Sequence, residues 1–312
     1  MFFASRKAAA PPLNLACLPG LAAAVQLASE SPSPRPVLAK ALVCQVAGRS
    51  EARLEHLARE LNLRRTPLRV LLEVGDYQFL QTEMPNVPAE ELRTAVRWQL
   101  KDVLRQPVDA VTLDLLTPPE DAHGSRRSSG FAVVAANELL RARMLLFRPW
   151  NSAVRVIDVP EMAQRNLADR LEEVERATAV LSITPGGCLL TASRAGVLHF
   201  VRSFDLSSLS LKASETVRRE QFDRLVLELQ RTIDVLEHQY SFLSVSTLWL
   251  SPFEHAEDLL SLLIENLYLP VKLIDLAQIF DTSRCALPAS PDEQAALFHV
   301  LGMALRGPEG AP

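Results

Sequence analysis

The apolar positions of this chain form short blocks whose period changes along its length. Near-continuous apolar runs around Leu15, around Val25 and in VLAKALVCQVA from Val37 predict three strands, with Ser31-Pro32-Ser33-Pro34-Arg35-Pro36 as a turn. In SEARLEHLARELNL, residues 50–63, Leu54, Leu57 and Leu61 recur at helical spacing behind Ser50 as N-cap, and PLRVLLEV, 67–74, reads as a strand. A second helix is predicted over 87–106. Pro88 suits its first turn, Glu90 and Glu91 suit its positive N-terminal end, and Leu92, Val96, Gln99, Leu100 and Val103 share one face. Trp98 falls opposite that stripe. A strand over 110–116 follows, then a polar loop over 117–130 carrying Arg126-Arg127.

Strand-then-helix order occurs twice more, in 130–147 and 153–171, and near residue 174 the pattern restarts. The segment AVLSITPGGCLLTASRAGVLHFVRSFDL, 179–206, predicts strand, turn, strand, turn, strand. A long helix over 216–243 comes next, with Phe222, Leu225, Leu229, Ile233, Leu236 and Tyr240 on one face. A strand over 246–251, a helix over 255–267, a strand over 269–276 and a last helix over 292–305 complete the chain. Each half opens with a three-stranded meander and continues in alternating helices and strands, which is an α/β pattern in two related halves.

Composition narrows the chemistry. The chain has 312 residues, 48% apolar and 22% charged, with a net charge of -4, so nothing in its charge argues for nucleic acid or an anionic membrane surface. Cys17, Cys44, Cys188 and Cys285 show no paired spacing, which fits neither a zinc site nor a disulfide framework and points to a reducing compartment. The six histidines form no metal-binding spacing; His238 reads as solvated and His299 as packed. No Walker loop, G-x-S-x-G elbow or G-x-G-x-x-G is present. No stretch reaches the ~20 apolar residues of a spanning helix. Arg6 and Lys7 before residues 13–28 outline an export leader, but Asn14 and Pro11-Pro12 interrupt it, and a buried strand, turn and strand is the preferred reading.

Thr184-Pro185-Gly186-Gly187 raises the question of a phosphate-holding turn. Pro185 has no N–H to donate, and magnesium takes hard oxygen ligands, usually carboxylates, where Ser182 brings a neutral hydroxyl. Gly186-Gly187 therefore reads as a hairpin turn.

Four segments in order carry a resemblance: ELRTAVRWQLKDVLRQPVDAVTLDL, then FAVVAANELLRARMLLF with VRVIDVPEMAQRNL, then ELQRTIDVLEHQY, then ALFHVLGMALR. Together they resemble the PilM family of type IV pilus assembly proteins, most closely its MshI branch from MSHA-type pilus systems. The resemblance runs from about Leu13 to Arg306. It implies an actin-like (ribonuclease H-like) two-domain α/β fold, shared with the cell-division protein FtsA and the cytoplasmic part of type II secretion protein L. One domain would span 1–174, with an inserted partner-binding subdomain at about 76–130, and the other 175–312.

The nucleotide loops depart from the family. Its first and second hairpins typically carry Asp-Ile-Gly; here they read Leu15-Ala16-Cys17-Leu18-Pro19 and Ser182-Ile183-Thr184. Its adenosine loop is serine with several glycines; here Pro252, Phe253 and Glu254 stand there, and Pro252-Phe253 would crowd the base. Degenerate loops at Cys17, Ser182, Thr184 and Pro252 imply no bound cofactor, no metal and no catalysis. The resemblance further implies a groove for the N-terminal cytoplasmic peptide of a single-span inner-membrane partner, bounded by the helix 88–105 and the strand 110–116. Trp98, Arg97 and Leu113 are its candidate residues. The protein would then be a cytoplasmic scaffold peripheral to the inner membrane, linking its partner to the cytoplasmic motor ATPase. Two other readings stay open: an ATP-binding actin-like ATPase of pilus or type II secretion assembly, and an exported protein.

Overall fold

The computed structural model describes residues 11–29, 33–45, 50–61, 63–117, 129–172, 176–240 and 242–307. The chain begins with β1 (Leu13–Leu18), β2 (Leu21–Leu27) and β3 (Leu38–Cys44), then α1 (Ser50–Leu61) and β4 (Leu68–Leu71). A separate unit follows: β5 (Tyr77–Glu83), α2 (Ala89–Gln99), β6 (Val111–Leu116) and β7 (Ser129–Ala136). α3 (Asn137–Leu145), β8 (Val154–Asp158) and α4 (Pro160–Ala168) return to the first sheet, whose order is β3-β2-β1-β4-β8. Strands β1 to β3 form an antiparallel meander, and β4 and β8 add in parallel.

The second half repeats this plan. β9 (Ala177–Thr184), β10 (Gly187–Arg194) and β11 (Val197–Phe204) form the meander. α5 (Glu215–Gln239), β12 (Val245–Leu250), α6 (Ala256–Asn266), β13 (Val271–Leu273), α7 (Leu276–Ile279) and α8 (Pro291–Ala304) complete it. Its sheet order is β11-β10-β9-β12-β13, with β12 and β13 parallel additions. Every residue of β9 is buried, because this central strand is covered on both faces. Ala179, Leu181 and Ile183 pack under α5, while Val180 joins the core around α8.

Two helices cross between the sheets. α8 is the last of these elements, yet its Leu297, Val300 and Leu301 share a core with Ala16, Ala23, Val25 and Leu38 of the first sheet. α4 follows the first sheet, yet Gln164 bonds Val180 O (2.7 Å) and Leu189 O (3.2 Å) of the second. The position near 174, where the sequence restarts, lies outside the described residues, as do Arg126-Arg127 and the side chains of Ser50 and Leu54.

Several elements differ from the sequence reading: the strand expected over 269–276 is only Val271–Leu273, and the short helix α7 follows it. β5 was not anticipated; its Tyr77 and Phe79 pack on one face of the three-stranded sheet β5-β7-β6 and Leu80 on the other, so it alternates too weakly to stand out. The inserted unit accordingly runs on to Ala136 instead of ending near 130. α2 stops at Gln99 rather than 106 because the Gln78 amide takes over the backbone beyond it, donating to Val103 O (3.2 Å) and accepting from Arg105 N (2.8 Å). Val103, placed on the apolar stripe, is consequently 57% exposed.

Candidate functional site

The two hairpin turns face each other across a cleft between the sheets. Pro19-Gly20 closes the first, with Gly20 at the φ of 77° that a type II turn requires after proline. Thr184 pairs with Gly187 in the second, so a hairpin turn forms as expected, but its two turn residues are Pro185-Gly186 rather than Gly186-Gly187, and Gly187 begins β10. A Cβ on Gly186 would meet Leu18 Cδ2 at 3.4 Å, and one on Gly187 would meet Val74 Cγ2 at 3.9 Å. Apolar side chains thus occupy the space between the turns.

The remaining cavity is about 50 Å³, lined by Ala16, Leu18, Val74, Phe204, Val300 and their neighbours. Small-molecule sites measure ~300–1,000 Å³. Among the described residues the one charged side chain lining the cavity is Glu73, which Arg143 holds at 3.4 Å while also binding Asp76 at 2.6 Å. Among the described residues no cation lines the cavity to face a phosphate, and no group of three or more His, Cys, Asp or Glu is arranged to hold a metal. Magnesium and a nucleoside triphosphate do not fit these residues.

A buried polar network surrounds Ser182 on the cleft side of β9. Ser182 Oγ donates to Gln164 Oε1 (2.6 Å), and His299 Nε2 lies 3.1 Å from both atoms. Gln164 Nε2 donates to two strand carbonyls and to Thr191 Oγ1 (3.0 Å), which fixes the amide orientation. Its Oε1 can only accept, so His299 Nε2 carries a proton. A serine beside a histidine suggests a nucleophile and its base. Here the proton directions refuse it: Ser182 gives its proton to Gln164, and His299 is a donor. Burial lowers the His299 pKa to about 3, so the ring is neutral. His299 is packed, as its place in the sequence suggested; Gln164 was not singled out, and no local pattern announces a partner 135 positions away.

Two sequence expectations need correction. Cys17 packs on the α1 side of the first sheet with Leu13 and Leu15, because alternate strand residues face opposite ways; Ala16 and Leu18 face the cleft. Phe253 does not crowd the cleft either. It turns into the second core and meets the Phe222 ring edge-on at 6.4 Å, while Pro252 lies outside the cavity lining. Ser182 and Thr184 do lie on the cleft side of β9, and Thr184 lines the cavity.

The inserted unit is a second candidate site. α2 crosses its sheet diagonally: Arg93 bonds Asp114 of β6 at 2.9 Å, and Gln99 Nε2 donates to Thr82 Oγ1 of β5 at 3.1 Å. Val96 and Leu100 bury against Leu113, Ala132 and Val134. Leu113 is therefore 1% exposed and forms the floor of the unit, not a groove wall, which corrects its assignment to a partner site. Trp98 is 59% exposed on the outer side of α2, and Arg97 is partly exposed beside it. β6 is an edge strand of this sheet.

The unit is fastened at its root and at its side. Tyr77 OH donates to Glu161 Oε2 at 2.7 Å, both groups buried, and Gln81 Nε2 donates to Tyr240 OH of α5's end at 2.9 Å. Burial pushes Glu161 up to about 7 against the opposing pull of the Tyr77 hydrogen bond. The Tyr77 phenol is itself raised by burial and by Glu161.

Among the described residues no helix is long and apolar enough to cross a membrane. No protein-family model matches the chain, and no curated protein matches it. Solved structures do. A chain of a PilM-PilN type IV pilus biogenesis complex superposes with a TM-score of 0.75 at 21% identity, covering 96% of this chain and 98% of that one. A Bacteroides thetaiotaomicron protein with an actin-like ATPase fold gives 0.52 at 10% identity, over 95% and 99%. At these identities the likeness is one of fold: this chain has the actin-like α/β fold, in a form similar to PilM.

Proposed function

We propose that this protein is a non-catalytic component of a type IV pilus assembly machine, of the MSHA-like kind. It holds the N-terminal cytoplasmic peptide of a single-span inner-membrane protein and so sits peripheral to the inner membrane on the cytoplasmic side. Its two actin-like units, divided near residue 174 and sharing the crossed helices α4 and α8, act as a scaffold between that partner and the cytoplasmic motor ATPase. The observation that carries this reading is the likeness to a PilM-PilN complex chain over nearly the whole of both chains. The small, apolar cleft supports the absence of turnover, and the exposed Trp98 on the outer side of α2, in a unit whose sheet also offers the edge strand β6, supports peptide capture on the inserted unit.

The test is a titration of the purified protein with a labelled peptide from the start of the bitopic protein encoded beside it. Saturable binding that maps to residues 77–136 by hydrogen exchange is expected. Absence of binding by every bitopic protein of the neighbouring genes would overturn the reading.

A further inference from the structure

We infer that the second sheet carries a site for a fatty acid beneath α5. A cavity of about 320 Å³ lies there, the size of small-molecule sites and well above ordinary packing defects. Its helical wall is Leu229, Ile233 and Leu236, and its sheet wall is Ala179, Leu190 and Leu248. Ala179 creates the gap, since Leu181 and Ile183 on the same face of β9 fill the space under the helix farther along. The helical lining runs from Leu229 to Tyr240, ~16 Å at 1.5 Å per residue. That length with this volume makes a narrow tube, not a round chamber.

Polar groups gather at one end of it. Arg176 precedes β9, Ser244 precedes β12, and Glu237 and Tyr240 lie at the end of α5. β9 and β12 run parallel and start side by side, Val245 opposite Ala177, so these four residues share one rim. Tyr240 OH already accepts from Gln81, which leaves its own proton for an acceptor. A straight aliphatic chain with a singly charged carboxylate matches this arrangement. Arg176 supplies the counter-charge, and the Tyr240 and Ser244 hydroxyls donate. Glu237 on the same rim disfavours a phosphate head of higher charge. The chain would supply the dispersion contacts that an empty apolar tube forfeits. This inference does not depend on the pilus assignment.

Calorimetric titration with sodium dodecanoate, below its micelle-forming concentration, tests it. Saturable one-to-one binding is expected, with methyl dodecanoate weaker because it lacks the charge. Arg176→Ala should weaken dodecanoate about tenfold, as loss of one charged hydrogen-bond partner does, and Ile233→Trp should abolish binding by plugging the tube. A dodecanoate bearing a diazirine on its chain should label peptides of α5 or β9 in the unaltered protein, a readout independent of whether Ile233→Trp folds. No saturable binding, labelling confined to other segments, or affinity that climbs with chain length equally in Ile233→Trp would overturn the proposal.

Discussion

Gly302 of α8 and Ala163 of α4 touch backbone to backbone: a Cβ on Gly302 would overlap the Ala163 carbonyl. Asn166 of α4 reinforces the crossing by donating to Gly302 O at 3.0 Å. These are the helices that pass between the two sheets, so their separation fixes how the halves sit. Gly302→Ala should force the helices apart and destabilise the protein by ~1–3 kcal/mol or more, since nothing at the contact is a flexible side-chain end. Urea denaturation measures it. Unchanged stability would mean that the crossing yields freely.

A pH effect follows from Glu161. Its carboxyl is raised from 4.5 to about 7 by burial, so the folded state holds a proton that the unfolded state has released. The stability this gives is fully present below pH 4.5 and is lost as pH rises through about 7, by roughly 3 kcal/mol for a shift of this size. Glu161→Gln keeps a hydrogen-bonding partner for Tyr77 without the charge. It should be more stable than the parent at pH 8 and nearly equal to it at pH 4.5. His299, lowered to about 3, slopes the other way, losing stability as pH falls below 6.5. Denaturation of parent and Glu161→Gln across this range isolates the Glu161 contribution as their difference.

Nucleotide should not bind. Titration with ATP and magnesium should show no saturable heat at micromolar affinity, because a cavity of about 50 Å³ without a lining cation cannot take a triphosphate. Ser182→Asp should not restore binding. It would place a carboxylate against Gln164 Oε1 in a fully buried site and destabilise the fold. A clear one-to-one ATP isotherm for the parent protein would contradict the filled cleft.

Trp98 and Leu113 should separate binding from folding. Trp98→Ala should weaken partner-peptide binding by ~2 kcal/mol with little change in melting, since the ring is exposed. Leu113→Ala should cost ~2–5 kcal/mol of stability through the cavity left under α2. Equal peptide affinity for Trp98→Ala and parent would remove Trp98 from the site.

The meanders were legible in the sequence because their strands are short apolar runs punctuated by Pro19-Gly20 and Pro185-Gly186, and both turns formed where those pairs stand. β5 was not, because Gln78, Gln81 and Thr82 dilute its alternation. The absence of a carboxylate at positions 16, 17 and 182 could be read directly, but not what surrounds Ser182. Ser182, Gln164 and His299 meet only after α4 and α8 have crossed, and no spacing encodes that. The facing of Cys17, Leu113 and Phe253 was likewise decided by strand register and loop direction rather than by residue type.

The crossing of α8 also sets an order of events during synthesis. The core around Ala16, Ala23 and Val25 is closed by residues 297–301, which leave the ribosome long after the first sheet. The first sheet therefore waits, with one apolar face uncovered, while most of the chain is made. Such long-range closure slows folding and leaves intermediates prone to association. Chaperone demand should accordingly fall on the nascent first half, and a ribosome stalled before residue 291 should display that half in a protease-sensitive state.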